Sequence, residues 1–364
     1  MNILRRLPLS RVLLLCGLVV AIGVSATAIA SAVGSGPTPA QKPLAQAVHD
    51  ALGAEAVQGV SASITYTNHL LEGANLASGG TGGGGGQVGE LASSPLLSGA
   101  SGRLWATKDR VRLELQSEKG DTEVVYDGHT ISIYDAATNT IYRYTPKEGG
   151  SQANGTSSHE APSLAKIEEA IADLRKHVDV SEATPTDVAG QPAYTVRVSP
   201  KEAGSLIGGA ELSFDAVHGM PLRTAIYSST SSSPVIELAA TEVSYGPVES
   251  SVFELTPPAN AKIDELGESG EGPSKPAGPE GGSQPKLTTH GSGVTGIAVL
   301  ESQVKPGSKS SPPEGLPQVD INGATASELR TALGTILTFE RSGVRYVVAG
   351  ALDSGTIEAF AKGL

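Results

Sequence analysis

The chain of 364 residues carries 38 Asp and Glu against 26 Lys and Arg, a formal net charge of −12, with no Lys/Arg-rich run in its body. Phosphate backbones demand a basic face, so nucleic acid is excluded as a partner. Apolar residues make up 39% of the chain, enough for a core, but with 4% aromatic residues and 45 glycines much of the length must be loop or linker, and the single cysteine, Cys16, rules out a disulfide framework, a CxxC redox pair and a cysteine zinc site.

Arg5, Arg6 and Arg11 precede an uncharged apolar run over residues 12–33, a basic flank followed by enough length to cross a bilayer. The rest of the chain is therefore expected outside the cytoplasm. The small residues of SATAIASA suit signal-peptidase cleavage, so a cleaved signal peptide and a retained membrane anchor both stand. Leu15 is large for a lipoprotein cleavage motif, and the apolar run continues past Cys16.

Residues 44–54 place Leu44, Val48, Ala51 and Leu52 on one face of a short helix. In GVSASITYT, Val60, Ala62, Ile64 and Tyr66 alternate with Ser61, Ser63, Thr65 and Thr67, which is strand periodicity. Residues 70–99 are glycine-rich; Gly84, Gly86 and Gly89 fit GxGxxG, but without a surrounding βαβ unit they read as a low-complexity loop. From Gly102 onward, Val111, Leu113 and Leu115 alternate with Arg112, Glu114 and Gln116, and TEVVY, TISIY and TIYRY follow after polar turns, giving an antiparallel meander. Leu164, Ile167, Ile171 and Leu174 mark a helix with Ser163 as its N-cap. Strands resume at PAYTVRV, AELSF, LRTAIYS and VIELAATEVSY and end at VFELTPP, so the spacing predicts one open sheet of about ten strands. A Gly/Pro/Ser/Glu linker and a second small unit, ending in a helix near residues 353–362, complete the chain. The division expected is 1–43 signal or anchor, 44–265 main domain, 266–286 linker and 287–364 C-terminal unit.

Chemistry is sparse. The seven histidines have no metal-ligand spacing, Ser163 to Lys166 fits SxxK without SDN or KTG partners, and there is no GxSxG. No enzyme activity, metal or cofactor is expected. A curved sheet with an apolar, aromatic-poor face instead leaves room for an apolar ligand. A sixteen-carbon chain taken from water gains roughly 0.8 kcal/mol per CH₂, on the order of 10 kcal/mol, without polar recognition. Alternatively, the same face packs against the helix carrying Leu164 to Leu174.

GRLWATKDRVRLELQ, VVYDGHTISIYDAATNTIYRYTPK and VFELTPPANAKI resemble the signature blocks of the LolA-like periplasmic lipoprotein carriers. Gly102, Leu104, Trp105, Asp127, Gly128, Tyr134, Phe253, Thr256, Pro257 and Pro258 carry the match. The carrier pattern has Arg-Pro after the tryptophan strand, where this chain has Lys108-Asp109-Arg110. The tail, HGSGVTGIAVLES and RSGVRYVVAGALDSGTIEAFAKGL, resembles the C-terminal unit of RseB/MucB proteins, which join it to a LolA-like domain and regulate a membrane anti-sigma factor. The resemblance implies an α+β fold: a large curved antiparallel sheet, an open half-barrel of about eleven strands with a helical lid, plus a small C-terminal α+β unit. Its cavity would hold the acyl chains of a lipid or lipoprotein. The wall positions expected from the alternation are Val60, Ala62, Ile64, Tyr66, Leu104, Val111, Leu113, Leu115, Ile131, Ile133, Leu212, Phe214, Leu222 and Ile226. The function expected is an extracytoplasmic lipid-binding protein of the bacterial cell envelope, membrane-anchored or secreted. An RseB/MucB-like regulator that binds an anti-sigma factor, or a structural envelope module, are the alternatives.

Overall fold

The computed structural model describes residues 36–71, 99–117, 120–136, 138–145, 162–256, 258–265, 286–304 and 316–364. The apolar run over residues 12–33, the GxGxxG glycines and nearly all of the linker lie outside the described residues. The first unit begins with helix α1 (Leu44–Leu52) and strand β1 (Val60–Asn68). A meander follows: β2 (Ala100–Ala106), β3 (Val111–Ser117), β4 (Gly120–Tyr126), β5 (Ile131–Asp135) and β6 (Thr140–Tyr144). Helix α2 (Leu164–His177) leads into β7 (Val178–Val180), β8 (Thr184–Val188), β9 (Gln191–Pro200), β10 (Ile207–Asp215), β11 (Pro221–Ser228) and β12 (Pro234–Tyr245). After a 3₁₀ turn (Ser250–Phe253) comes β13 (Lys262–Glu265).

These thirteen strands form one open sheet in the order β13-β6-β5-β4-β3-β2-β1-β12-β11-β10-β9-β7, with β8 also on the outer edge of β9. The sheet is larger than the ten or eleven strands expected, and it is antiparallel except where β13 joins β6 in parallel. Its centre is β1, paired with β2 on one side and β12 on the other, so the two meanders meet on the first strand of the chain.

The two faces are covered unequally. On one face α1 and α2 pack over the β9–β10 end, where Leu44, Ala47, Ala183, Tyr194 and Phe214 form a core with Ile171 against it. The Tyr194 and Phe214 ring centroids are 5.9 Å apart. The Ser163 side chain makes no cap hydrogen bond, and Leu174, expected on the buried stripe, is 45% exposed. On the opposite face the segment from Ser250 to Leu255 straps the β3–β6 half. Phe253 is buried there, and the Arg112 guanidinium donates to the Val252 carbonyl at 2.7 Å. Arg112 also pairs with Glu114 at 2.7 Å and Glu123 at 3.0 Å. Burial raises the Glu123 carboxyl above its ordinary range, with Arg112 working against that rise. Alternation alone puts Arg112 in solvent; the strap makes it a structural clamp.

The second unit is a six-stranded antiparallel sheet in the order β14-β15-β19-β18-β17-β16. Its strands are β14 (Lys286–His290), β15 (Ile297–Gln303), β16 (Gln318–Ile321), β17 (Ala324–Thr331), β18 (Gly334–Arg341) and β19 (Val344–Gly350), followed by helix α3 (Ser354–Lys362). Asn322-Gly323 and Ser342-Gly343 have positive φ at both positions, which matches the twist of tight hairpins. Ile357 and Ala361 of α3 pack on Val299, Leu337, Phe339 and Val348, and Asp353 caps the helix by accepting from the Thr356 N–H at 3.1 Å. The unit docks on the β9–β10 loop and the end of β1. Leu206 N–H donates to the Ala351 carbonyl at 2.7 Å, Ala332 N–H to the Leu70 carbonyl at 3.1 Å, and the Thr295 hydroxyl to Glu202 at 3.2 Å.

Removing the clamp tests this arrangement. Arg112→Ala leaves the Val252 carbonyl and the Glu123 carboxylate without their charged partner, and is expected to lower stability by about 2 kcal/mol. Denaturant unfolding measures that loss, and limited proteolysis is expected to cut first between residues 246 and 256.

Candidate functional site

An apolar, partly open groove runs along the centre of the large sheet, on the face that carries the helices but beyond their reach. Val60, Ala62 and Ile64 of β1, Leu104 of β2, Leu113 and Leu115 of β3, Leu222 of β11, and Leu238, Ala240 and Val243 of β12 line it. Cross-strand register sets these in rows: Leu113 faces Leu104, Leu104 faces Ala62, and Ala62 faces Val243. The next row is Leu115, Gly102, Ile64 and Ala240. Gly102 has a physical reason to lack a side chain, because a Cβ there would lie 1.9 Å from the Glu114 carbonyl oxygen. The groove is thus a trough floored by Ala62 and Ala240 and walled by branched side chains.

At one end the groove meets a polar cluster. Tyr245 donates its hydroxyl proton to the buried Asp215 at 2.7 Å, and the backbone N–H groups of Val217 and His218 donate to the other carboxylate oxygen at 2.7 and 2.8 Å. Burial works against ionisation of Asp215, yet these hydrogen bonds outweigh it and hold its carboxyl below the ordinary Asp range. Burial, then the bond to Asp215, pushes the Tyr245 hydroxyl well up. The His218 ring stacks on Tyr245 with centroids 3.9 Å apart and its Nδ1 3.4 Å from Asp215. On the sheet's other face Glu211 bridges Arg197 at 3.0 Å and Arg223 at 2.9 Å, and accepts from the Tyr227 hydroxyl at 2.6 Å. Arg223 also pairs with Glu237. These groups satisfy one another and tie β9 to β12 behind the groove.

Of the expected wall residues, Val60, Ala62, Ile64, Leu104, Leu113, Leu115 and Leu222 come together in the groove. Tyr66 is buried beside it in register with Leu238; burial pushes its hydroxyl up to about 12. Val111, Ile131 and Ile133 share the face but lie on the half-buried extension towards β6, where the Leu113 row continues through Val124, Ile133 and Tyr142. Phe214 lies under α1, Leu212 is 43% exposed, and Ile226 pairs with Ala210 and Ile236 away from the groove. Met220, Pro221, Arg223, Thr224, Leu238, Ala240, Val243 and Tyr245 line the groove without having been expected. The alternative that α2 fills the face holds only over β9 and β10; among the described residues no helix side chain lines the groove.

The cavity is small, about 80 Å³. An apolar cavity of about 150 Å³ holds a benzene ring, so the enclosed part of the trough is smaller than that, and the half-buried row towards β6 continues it. Among the described residues no group of three or more His, Cys, Asp or Glu could hold a metal ion, and no helix is long and apolar enough to cross a membrane.

Fold and groove together define an open-sheet α+β protein with an apolar trough. No protein-family model and no curated protein matches the sequence. Among solved structures the chain is similar to MucB in complex with MucA(peri), at 16% identity and a TM-score of 0.42, over 87% of this chain and 94% of that one. It is similar to the Pseudomonas aeruginosa MucA/MucB complex at 18% identity and a TM-score of 0.39, over 87% and 94%. LolA superfamily protein NE2245 from Nitrosomonas europaea is similar at 7% identity and a TM-score of 0.19, over 84% and 90%. Likeness this distant places no side chain.

Two outcomes follow from the geometry. Ala62→Leu and Ala240→Leu fill the trough floor; in a packed interior such overpacking costs about 1–3 kcal/mol, whereas in an open trough both variants are expected to melt near the parent, read by thermal melts. Asp215 has a lowered folded-state pKa, so its contribution is present above the unfolded value, about 3.9, and is lost as pH falls through the folded value. Asp215→Asn is expected to be less stable at neutral pH and to lose less stability on acidification below about pH 4, read by thermal melts across a pH series.

Proposed function

We propose that the chain is an extracytoplasmic, non-enzymatic binding protein that holds an acyl chain of a lipid or lipoprotein in the trough between β3 and β11. The division into a lipid-binding domain over 44–265, a linker over 266–286 and a C-terminal unit over 287–364 belongs to the same reading. The observation that carries it is the trough itself. Ten apolar side chains from five strands converge on space that no described helix fills, and the face continues as half-buried Val124, Ile133 and Tyr142. Burying apolar surface there is favourable at about 25 cal/mol per Å², and such a site needs no polar recognition.

Organic extraction of the purified chain followed by mass spectrometry tests this reading. Lipid is expected from the parent and from Ser244→Asp, which changes an exposed position beside Val243 on the opposite face. It is expected to be lost from Leu113→Asp. An unpaired carboxylate in a dry core costs several kcal/mol, but water can reach an open trough, so Leu113→Asp is expected to stay folded. Unfolding of Leu113→Asp together with an empty parent protein would mean a packed sheet without a site.

A second reading, a regulator that docks a partner such as a membrane anti-sigma factor, is favoured by the outer face of the second sheet. Leu287 and Leu300 face each other there across β14 and β15 and are exposed, as is Ile336 of β18 on the same side. Leu287→Asp with Leu300→Asp is expected to abolish partner capture while leaving lipid content unchanged. Unchanged capture removes this reading.

A further inference from the structure

The stretch that follows the N-terminal apolar segment, from Gly36 to Leu44, is anchored at one end of the large sheet. Gly36, the first described residue, packs so closely on Asp187 at the end of β8 that a Cβ would lie 2.3 Å from its carboxylate oxygen. From there the chain runs back along β8. Tyr194 donates to the Ala40 carbonyl, Gln41 donates to the Ala183 carbonyl at 3.0 Å, and Leu44 N–H donates to Glu182 at 3.3 Å. Asp187 pairs in register with Pro192, whose carbonyl accepts from Ala216 N–H at 2.8 Å, so the β8–β9 and β10–β11 turns are neighbours.

The same end carries the mouth of the trough. Met220, Pro221, Tyr245 and Val60 line it, and Tyr245 reaches Asp215 across the β10–β11 turn. Two large apolar side chains stand exposed beside it: Val217 at 62% in that turn and Leu52 at 55% at the end of α1. They belong to one patch, since Gly219 abuts the Ala51 carbonyl with no room for a side chain. The second sheet docks at the opposite end, on the β9–β10 loop and Leu70, and leaves this patch uncovered.

We infer that the mouth of the trough faces the lipid bilayer that the N-terminal segment enters, so that the trough takes its acyl chain directly from membrane lipid. The inference rests on the acyl-chain reading above and names the source of the ligand. The distance argument is short. The apolar run ends at Val33, three residues before Gly36, and three extended residues span no more than about 11 Å. A bilayer spanned by that run therefore lies within reach of Val217, Leu52 and the trough mouth, and the opposite end of the sheet points away from it. Electrostatics would not supply this orientation, since the net charge of −12 repels anionic headgroups.

The test uses the full chain in phosphatidylcholine vesicles containing brominated acyl chains, with Cys16→Ser and one new cysteine carrying a fluorophore: Leu52→Cys, Val217→Cys, or Ser231→Cys in the β11–β12 turn at the far end. Labels at 52 and 217 are expected to lose most of their fluorescence to bromine and the label at 231 none. Binding of a fluorescent fatty acid by the detergent-solubilised chain is measured alongside. Acyl binding with all three labels unquenched, or quenched alike, overturns the orientation and leaves the trough's function standing. Quenched mouth labels without acyl binding overturn the acyl-chain reading, and uptake from the bilayer with it. Recovery of the chain from cells only in a form cleaved within SATAIASA overturns the inference as well.

Discussion

The pairing of β1 with both β2 and β12 is the constraint on which the large sheet depends. Val60 to Asn68 is the only described segment that contacts both meanders along its length, and the partners lie roughly 40 and 180 residues away in sequence. Loop closure over such separations is costly in entropy, so the pairing of β1 must be favoured enough to offset it. The apolar row through Leu104, Ala62 and Val243, and the next through Ile64 and Ala240, supply that favour, and these same residues floor the trough. Assembly of the sheet and creation of the site are one event.

A sheet this wide cannot be covered by two short helices. The chain covers one face at the β9–β10 end with α1 and α2, and the other face at the β3–β6 end with the strap held by Arg112. Each cover leaves its opposite diagonal bare, and the trough is the bare part that faces the helices' side. The small side chains of Ala62 and Ala240 lie among its branched lining residues. The shift in register at Ser63/Ile64 leaves Thr241 as an extra residue on β12 and bends that strand over the same spot.

Much of this was legible in the sequence wherever period-two alternation was local. Val60, Ala62, Ile64, Leu113 and Leu115 were read on the trough side because each strand carries its own pattern. The wall on β12 was not, since the bulge at Thr241 shifts the phase between Ala240 and Val243 and breaks the alternation that would have assigned them. Phe214 and Leu212 have the right parity, but parity cannot say where a helix will land; α1 covers the first and leaves the second exposed. Arg112 was read as a solvent-facing charge because its partner carbonyl lies 140 residues away. The parallel joining of β13 to β6 left no sequence signal for the same reason.

The placement of the polar cluster bears on how a trough of about 80 Å³ could serve a longer ligand. Asp215, Tyr245 and the Val217 and His218 amides pin the β10–β11 turn to the end of β12, so the mouth end is rigid. Arg223, Glu211 and Glu237 tie β10, β11 and β12 together behind the trough. On the trough side of β4 to β6 the wall is the apolar Val124 and Ile133 with Tyr126 and Tyr142, all half-buried. Side chains without polar ties can shift rotamers at small cost, while a charged network this interlinked moves only as a unit. A chain seated at the mouth would therefore extend towards β6, along the side of the sheet that yields, and the strap held by Arg112 on the reverse face sets how far that half can flex.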